Sequence, residues 1–69
     1  MSTDVKKRII QNCSELFYKY GIKSISVDDI SFNVGISKKT FYEYFETKND
    51  VVKAIAIEFI NKSRLLNKD

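Results

Sequence analysis

The sequence contains no proline, no histidine and no tryptophan, and its 69 residues include one cysteine and two glycines. A lone cysteine excludes an intramolecular disulfide, and the lack of histidine removes the commonest metal ligand and general base. A small domain held together by disulfides or zinc is therefore excluded. We predict no bound metal and no cofactor. No nucleophile is paired with a base, so we do not expect an enzyme.

Long hydrophobic runs are also missing. The longest is Ala54-Ile55-Ala56-Ile57, far short of the about 20 residues that a membrane-spanning helix needs. The N-terminus lacks the basic-then-apolar pattern of a secretory signal, so we expect a cytoplasmic protein. The length allows one domain with a small core. Twelve basic and nine acidic residues give a net charge of +3, which is compatible with a nucleic-acid partner but is weak support by itself.

The spacing of the apolar residues predicts a first helix over residues 4–20. These residues fall within one arc of roughly 140° on a helix, which is typical of a helix packed on one face. Gly21 follows, at a place where a residue with positive φ commonly ends a helix. The predicted buried face consists of Val5, Ile9, Ile10, Cys13, Leu16, Phe17 and Tyr20.

Two short helices are predicted next, after a connector at residues 22–25 that is too β-branched to be a good helix. Ser26 followed by Asp29 is a variant of the capping box and predicts a helix over residues 27–34. Gly35 interrupts this helix, and Ser37 offers a second N-cap for a helix over residues 38–44. Two short helices separated by a glycine-containing turn of about three residues are the sequence form of a helix-turn-helix.

A last helix is predicted from residue 48 into the 60s, because Thr47-Lys48-Asn49-Asp50 repeats the capped start. We therefore predict an all-α domain of about four helices that contains a helix-turn-helix. The core is expected to include Phe17, Ile30, Phe41, Phe45 and Ile55.

The second short helix has two contrasting faces. With Phe41 and Phe45 directed inward, the outward face consists of hydrogen-bonding groups. Such a helix fits the DNA major groove, where lysine can donate to guanine O6 and N7. The alternative is that these charges only keep a surface helix soluble. The predicted outward residues are Lys38, Lys39, Thr40, Tyr42 and Glu43.

Two helix starts favour DNA over that alternative. Lys48 follows the Thr47 cap, and we expect its ammonium to lie beside the exposed N–H groups of the last helix. Helix N-termini bind phosphate through such groups, and a lysine strengthens the site. Ser26 likewise starts its helix with a hydroxyl and free N–H groups. Phosphate contacts at these starts, with the residue 38–44 helix between them, suit a DNA reader.

Residues 10–60 resemble the DNA-binding domain of the tetracycline-repressor (TetR) family of bacterial transcription regulators. The similarity lies in "ELFYKYGIKSISVDDIS" and "VGISKKTFYEYFETKNDVV" and in the apolar helix that follows. It implies sequence-specific DNA binding in transcription regulation, with a repressor as the usual case. The resemblance assigns phosphate contacts to Ser26, Thr40, Tyr42, Tyr44 and Lys48. It assigns base-edge contacts to Lys38, Lys39 and Tyr42, and structural positions to Phe41 and Phe45.

Two positions depart from the family pattern. The family often has a small residue where Lys39 stands, so a long-reach base contact is implied there. It often has a basic residue where Glu43 stands, so a weaker local affinity for phosphate is implied there. Family members usually also carry a C-terminal helical domain that binds an effector and forms the dimer. We expect that domain to be absent here and this chain alone to be monomeric, whereas a full-length parent would be a homodimer.

The last helix suggests a competing function. One stripe of it is apolar, yet Ile57 and Ile60 lie well away from that stripe. A helix that is apolar nearly all round is usually covered on more than one side, although fraying or a crystal contact could also accommodate two isoleucines. The alternative is therefore a protein-interaction module that docks a partner on this helix, whose binding would depend less on salt than DNA binding does. The stripe consists of Val51, Val52, Ile55, Phe59 and Leu66.

Overall fold

The computed structural model describes the backbone of residues 2–66 and the side chains of residues 5–62. Within these residues the chain is all-α and has no strand, as the capping and periodicity patterns predict. The connector at residues 22–25, which the sequence predicts to be non-helical, contains a short 3-10 turn at Ile22–Ser24. The four α-helices are α1 (Ser2–Tyr20), α2 (Val27–Val34), α3 (Lys38–Tyr44) and α4 (Lys48–Leu66).

Both glycines lie at helix ends and have positive φ. Gly21 has φ 85° and ψ 149°, and its N–H still donates to the carbonyl of Phe17 at 2.9 Å. Gly35 is left-handed, with φ 86° and ψ 35°, and ends α2. Residues with a Cβ rarely adopt these conformations. The two glycines therefore allow the abrupt changes of direction after α1 and within the helix-turn-helix.

Side-chain caps set the starts of the two short helices. At α2 the Ser26 hydroxyl accepts from the Asp29 N–H at 3.1 Å, and the Asp29 carboxylate accepts from the Ser26 N–H at 2.9 Å. This is the reciprocal capping box that the sequence predicts. At α3 the Ser37 hydroxyl accepts from the Thr40 N–H at 3.1 Å. Each cap satisfies a backbone donor that has no partner inside its helix.

The core lies where all four helices meet. Phe41, Ile30 and Val51 are fully buried, and Phe45 is 6% exposed. Of the five residues predicted for the core, Phe17 and Ile55 are only half-buried and pack against its edge. The other buried hydrophobic residues are Ile9, Ile10, Cys13, Ile25 and Val34.

Some apolar residues lie outside the core although helical spacing places them on a buried face. Tyr20, in the last turn of α1, is 59% exposed, and Phe59 on α4 is 70% exposed. Helical periodicity indicates on which face of a helix a side chain lies. It does not indicate whether a neighbouring helix extends far enough to cover that side chain. Ile57 and Ile60, which lie off the apolar stripe of α4, are exposed in this chain, and the side chain of Leu66 lies outside the described residues. None of the described helices is long and apolar enough to cross a membrane.

Candidate nucleic-acid interface

The helix-turn-helix consists of α2, the turn at Gly35 and α3. Helix α1 packs against α2 and holds its end through two side-chain hydrogen bonds. Arg8 on α1 donates through Nη2 to the carbonyl of Val34, at the end of α2. A cation at this end of a helix is favourable because the macrodipole is negative there. Asn12 Nδ2 also donates to Asn33 Oδ1 at 2.9 Å. Two side chains of α1 thus fix the end of α2 next to the turn.

Helix α3 has a buried aromatic side and a polar exposed side. The Phe41 ring is fully buried and meets the Tyr42 ring edge to face, with their centroids 5.4 Å apart. Tyr42 itself is 51% exposed, so its hydroxyl end can reach solvent or a ligand. Lys39 and Glu43 are exposed. Helix α3 therefore presents a row of hydrogen-bonding groups from a fixed position.

Thr40 and Tyr44 flank this row and are half-buried. The Ser37 hydroxyl donates to the Thr40 hydroxyl oxygen at 3.1 Å. Because Thr40 accepts in this bond, its own O–H remains able to donate to an acceptor outside the helix. The cap thus positions Thr40 as a hydrogen-bond donor at the edge of the exposed face, as a phosphate contact requires.

Lys38 lies in the first turn of α3 and forms an ion pair with Asp28 of α2. Its Nζ is 3.2 Å from Asp28 Oδ1, and the two side chains are 56% and 72% exposed. Among residues 5–62 this is the one ion pair within 4.0 Å. The sequence does not predict the contact of Asp28 with Lys38, because no spacing rule covers a pair on opposite sides of the turn. The Asp28 carboxylate lies beside one of the two lysines predicted to reach base edges.

The ammonium of Lys48 does not lie against the N–H groups of its own helix, so the predicted placement is wrong. Its Nζ donates to the carbonyl oxygens of Ile22 and Ile25, at 2.6 Å and 2.7 Å. The positive end of the α4 dipole disfavours a cation, whereas the carbonyl oxygens of Ile22, the first residue of the 3-10 turn, and of Ile25, the residue that caps its end, attract one. Since Ser26 follows Ile25 directly, the fold brings Lys48 close to the start of α2.

The hydrogen-bonding groups of Ser26 are already engaged. Its hydroxyl donates to Asp29 Oδ2 at 3.0 Å, and its N–H donates to the same oxygen at 2.9 Å. These two bonds lower the pKa of Asp29 below its ordinary value, so the carboxylate is ionised at neutral pH. A phosphate at Ser26 would therefore have to compete with a fixed negative charge.

The start of α4 is capped in the same reciprocal way. The Thr47 N–H donates to Asp50 Oδ2 at 3.1 Å, and the Asp50 N–H donates to Thr47 Oγ1 at 3.3 Å. The capping pattern in the sequence predicts this start. The cap fixes the first turn of α4 and with it the position of Lys48 relative to α2.

Cys13 is a free cysteine that lies in the core. Burial raises the pKa of the Cys13 thiol to about 12, so the thiol is protonated at neutral pH and is a poor nucleophile. Residues 5–62 hold no cluster of three or more cysteines and carboxylates suited to a metal ion.

A groove lies between α1 and α4, and the protein-interaction alternative would depend on this surface. It encloses about 450 Å³ and combines apolar side chains such as Ile55 and Phe59 with charged ones such as Glu15, Glu58 and Lys62. The mixture of charges makes this groove less apolar than the periodicity of α4 suggests.

Comparison with known proteins identifies the family. The family described as "Bacterial regulatory proteins, tetR family" matches residues 9–55. The uncharacterized HTH-type transcriptional regulator YvaF of Bacillus subtilis is 30% identical over 63 residues, which are 91% of this chain and 33% of that protein. A second from Bacillus subtilis, YvdT, is 36% identical over 50 residues, 72% of this chain and 26% of that protein.

A third relative comes from Mycobacterium tuberculosis. The uncharacterized HTH-type transcriptional regulator Rv0472c is 27% identical over 62 residues, 90% of this chain and 26% of that protein. The chain thus spans a third or less of the length of these relatives. No solved structure matches it significantly.

The matched segment contains the whole of α2, the turn and α3. This coverage favours DNA binding over the protein-interaction alternative. The chain belongs to the tetR family of bacterial regulatory proteins, and its helix-turn-helix is a DNA-binding domain of the kind used in transcription regulation.

Proposed function

We propose that this domain binds specific sites in duplex DNA by placing α3 in the major groove, and that the regulator to which it belongs acts as a repressor. The observation that carries the proposal is the geometry of α3. Phe41 is fully buried while Lys39, Tyr42 and Glu43 are exposed, and the start of the helix is capped by Ser37. A short helix held in this way can present side chains to base edges without losing its position.

The base contacts belong to the first turn of α3. Lys38 and Lys39 lie there, in the part of a recognition helix that usually enters the groove most deeply. Each can donate to guanine O6 or N7, and Tyr42 can contact a thymine methyl. Lys39 has no ion-pair partner among residues 5–62, whereas Lys38 would reach a base while it is paired with Asp28.

The phosphate contacts surround that turn. Thr40 keeps a free O–H donor, and Tyr42 and Tyr44 carry hydroxyls at the ends of their rings. Lys48 uses two of its three N–H donors for Ile22 and Ile25, so one remains for a phosphate near the start of α2. Ser26 is the weakest member of the set, because Asp29 occupies its hydroxyl and its N–H.

The wider properties follow from DNA binding. An operator made of two half-sites requires two recognition helices about 34 Å apart, so we propose that the full-length protein is a homodimer. Bacterial DNA lies in the cytoplasm, and we place the protein there. The proposed activity is binding alone and involves no catalysis.

Selection from a random DNA pool tests the proposal. The chain would be fused to a dimerising coiled coil and compared with the same fusion carrying Lys39→Ala and Tyr42→Ala. We expect the unmodified fusion to enrich a two-fold symmetric sequence, and its affinity to fall steeply as salt is raised. The double variant should enrich this sequence much less. Binding that is insensitive to salt, or a pool without an enriched sequence, would contradict the proposal.

A further inference from the structure

We propose that Asp28 is a positioning residue for sequence recognition, which directs Lys38 towards base edges and away from the phosphate backbone. The inference rests on the proposed function, and it concerns a residue that makes no DNA contact in that proposal. Its basis is the ion pair across the helix-turn-helix, in which Lys38 Nζ lies 3.2 Å from Asp28 Oδ1.

The two adjacent acids of α2 have different partners. Asp29 is held by the N–H and the hydroxyl of Ser26, so its carboxylate belongs to the cap. Asp28 takes no part in the cap and instead pairs with α3. Because Asp28 lies on one helix and Lys38 on the next, their ion pair draws the ammonium towards α2 along the exposed face of α3.

The charges near Lys38 explain why this should affect specificity. A lysine on a flexible stem can bind any phosphate, and such a contact adds affinity for all sequences alike. Moving to a phosphate would separate Lys38 from Asp28 and leave that carboxylate facing the backbone. Guanine O6 and N7 are neutral acceptors, so an ammonium that donates to them can keep Asp28 as a partner without bringing a second anion next to that carboxylate. Asp28 thus makes the phosphate-bound position of Lys38 less favourable than the guanine-bound position.

The experiment compares Asp28→Asn with the unmodified chain, both as dimerising fusions, on the selected DNA site, its single-base variants and random DNA. We expect Asp28→Asn to bind random DNA more tightly and to lose about fivefold or more of its discrimination at one base pair. Its salt slope should increase by about one unit, because Lys38 then binds a phosphate. Asp28→Glu keeps the charge and should retain most of the discrimination.

Glu46→Gln is the matched control, because it removes one negative charge from an exposed residue just after α3 without removing the partner of Lys38. It should strengthen binding to all sequences alike. An equal loss of discrimination in Asp28→Asn and Glu46→Gln would overturn the inference, since net charge would then explain both.

A double-mutant cycle tests whether Asp28 acts through Lys38. In a Lys38→Gln background, Asp28→Asn should no longer change the discrimination. An unchanged effect there, or full discrimination by Asp28→Asn alone, would overturn the inference and leave the proposed function intact. Failure of the unmodified fusion to discriminate at all would instead refute the proposed function. Thermal melts of each variant confirm that the compared proteins are folded at the assay temperature.

Discussion

Replacing Lys48 by methionine separates the two roles that the structure suggests for this residue. The ammonium donates to Ile22 and Ile25 over distances of 2.6 Å and 2.7 Å, and one donor is left for DNA. Methionine has a stem of similar length but no charge, so Lys48→Met removes the hydrogen bonds and keeps most of the apolar packing. The variant should therefore lower both the stability of the domain and its affinity for DNA.

The expected loss of stability follows from the two bonds. A hydrogen bond involving a charged group contributes about 1.5–3 kcal/mol when it is well shielded from water. Lys48 is half-exposed, and solvent screening reduces the contribution. We expect the two bonds together to contribute about 1–2 kcal/mol. In a domain of this size each kcal/mol lowers Tm by about 4–8 °C, so the variant should melt roughly 4–16 °C below the parent.

The assay combines a thermal melt followed by circular dichroism with DNA affinities at several salt concentrations. Lys48→Met should weaken binding about equally for all sequences and lower the salt slope by about one unit. Lys53→Met, which changes an exposed lysine of the same helix, is the control and should leave Tm nearly unchanged. An unchanged Tm for Lys48→Met would refute the structural role. A loss confined to one DNA sequence would refute the phosphate role.

Three further predictions concern α2 and α3. Phe41→Ala should destabilise the domain by about 3–5 kcal/mol, which approaches the whole stability of so small a protein, and a cooperative melt near the parent's midpoint would contradict this. Lys39→Ala should cost about 1–3 kcal/mol on the preferred base and little on the other bases, as measured by affinities for single-base variants at fixed salt; a uniform loss would indicate a phosphate contact. The lowered pKa of Asp29 means that its capping bonds stabilise the fold above its ordinary pKa and are lost as pH falls through the lowered value. The urea midpoints of Asp29→Ala and the parent should therefore differ at pH 7, and the difference should shrink as pH falls below the ordinary pKa of an aspartate; a difference that stays constant with pH would refute this.

The parts of the fold that depend on local sequence could be predicted from it. The capping box of Ser26 and Asp29 is read from a spacing of three residues, and both of its hydrogen bonds are present. Gly35 and Ser37 likewise mark the end of α2 and the start of α3. Capping and helix termination act over one turn of a helix, so residue types at short spacing are sufficient to indicate them.

The contacts between distant segments could not be predicted in the same way. Lys48 bonds to carbonyls 23 and 26 residues earlier, and no sequence pattern encodes such a pair. The ion pair of Asp28 with Lys38 spans the turn and depends on the angle between the helices. The exposure of Tyr20 and Phe59 depends on where the neighbouring helices end, which helical periodicity does not report.

The most direct test of the central claim is a map of backbone amide chemical-shift changes when the domain is titrated with its selected DNA site. If α3 enters the groove, the largest changes should lie at residues 38–44, with smaller ones at the starts of α2 and α4. The groove between α1 and α4, around Glu15 and Phe59, should change little. Changes confined to that groove, with residues 38–44 unaffected, would contradict the assignment of α3 as the recognition helix.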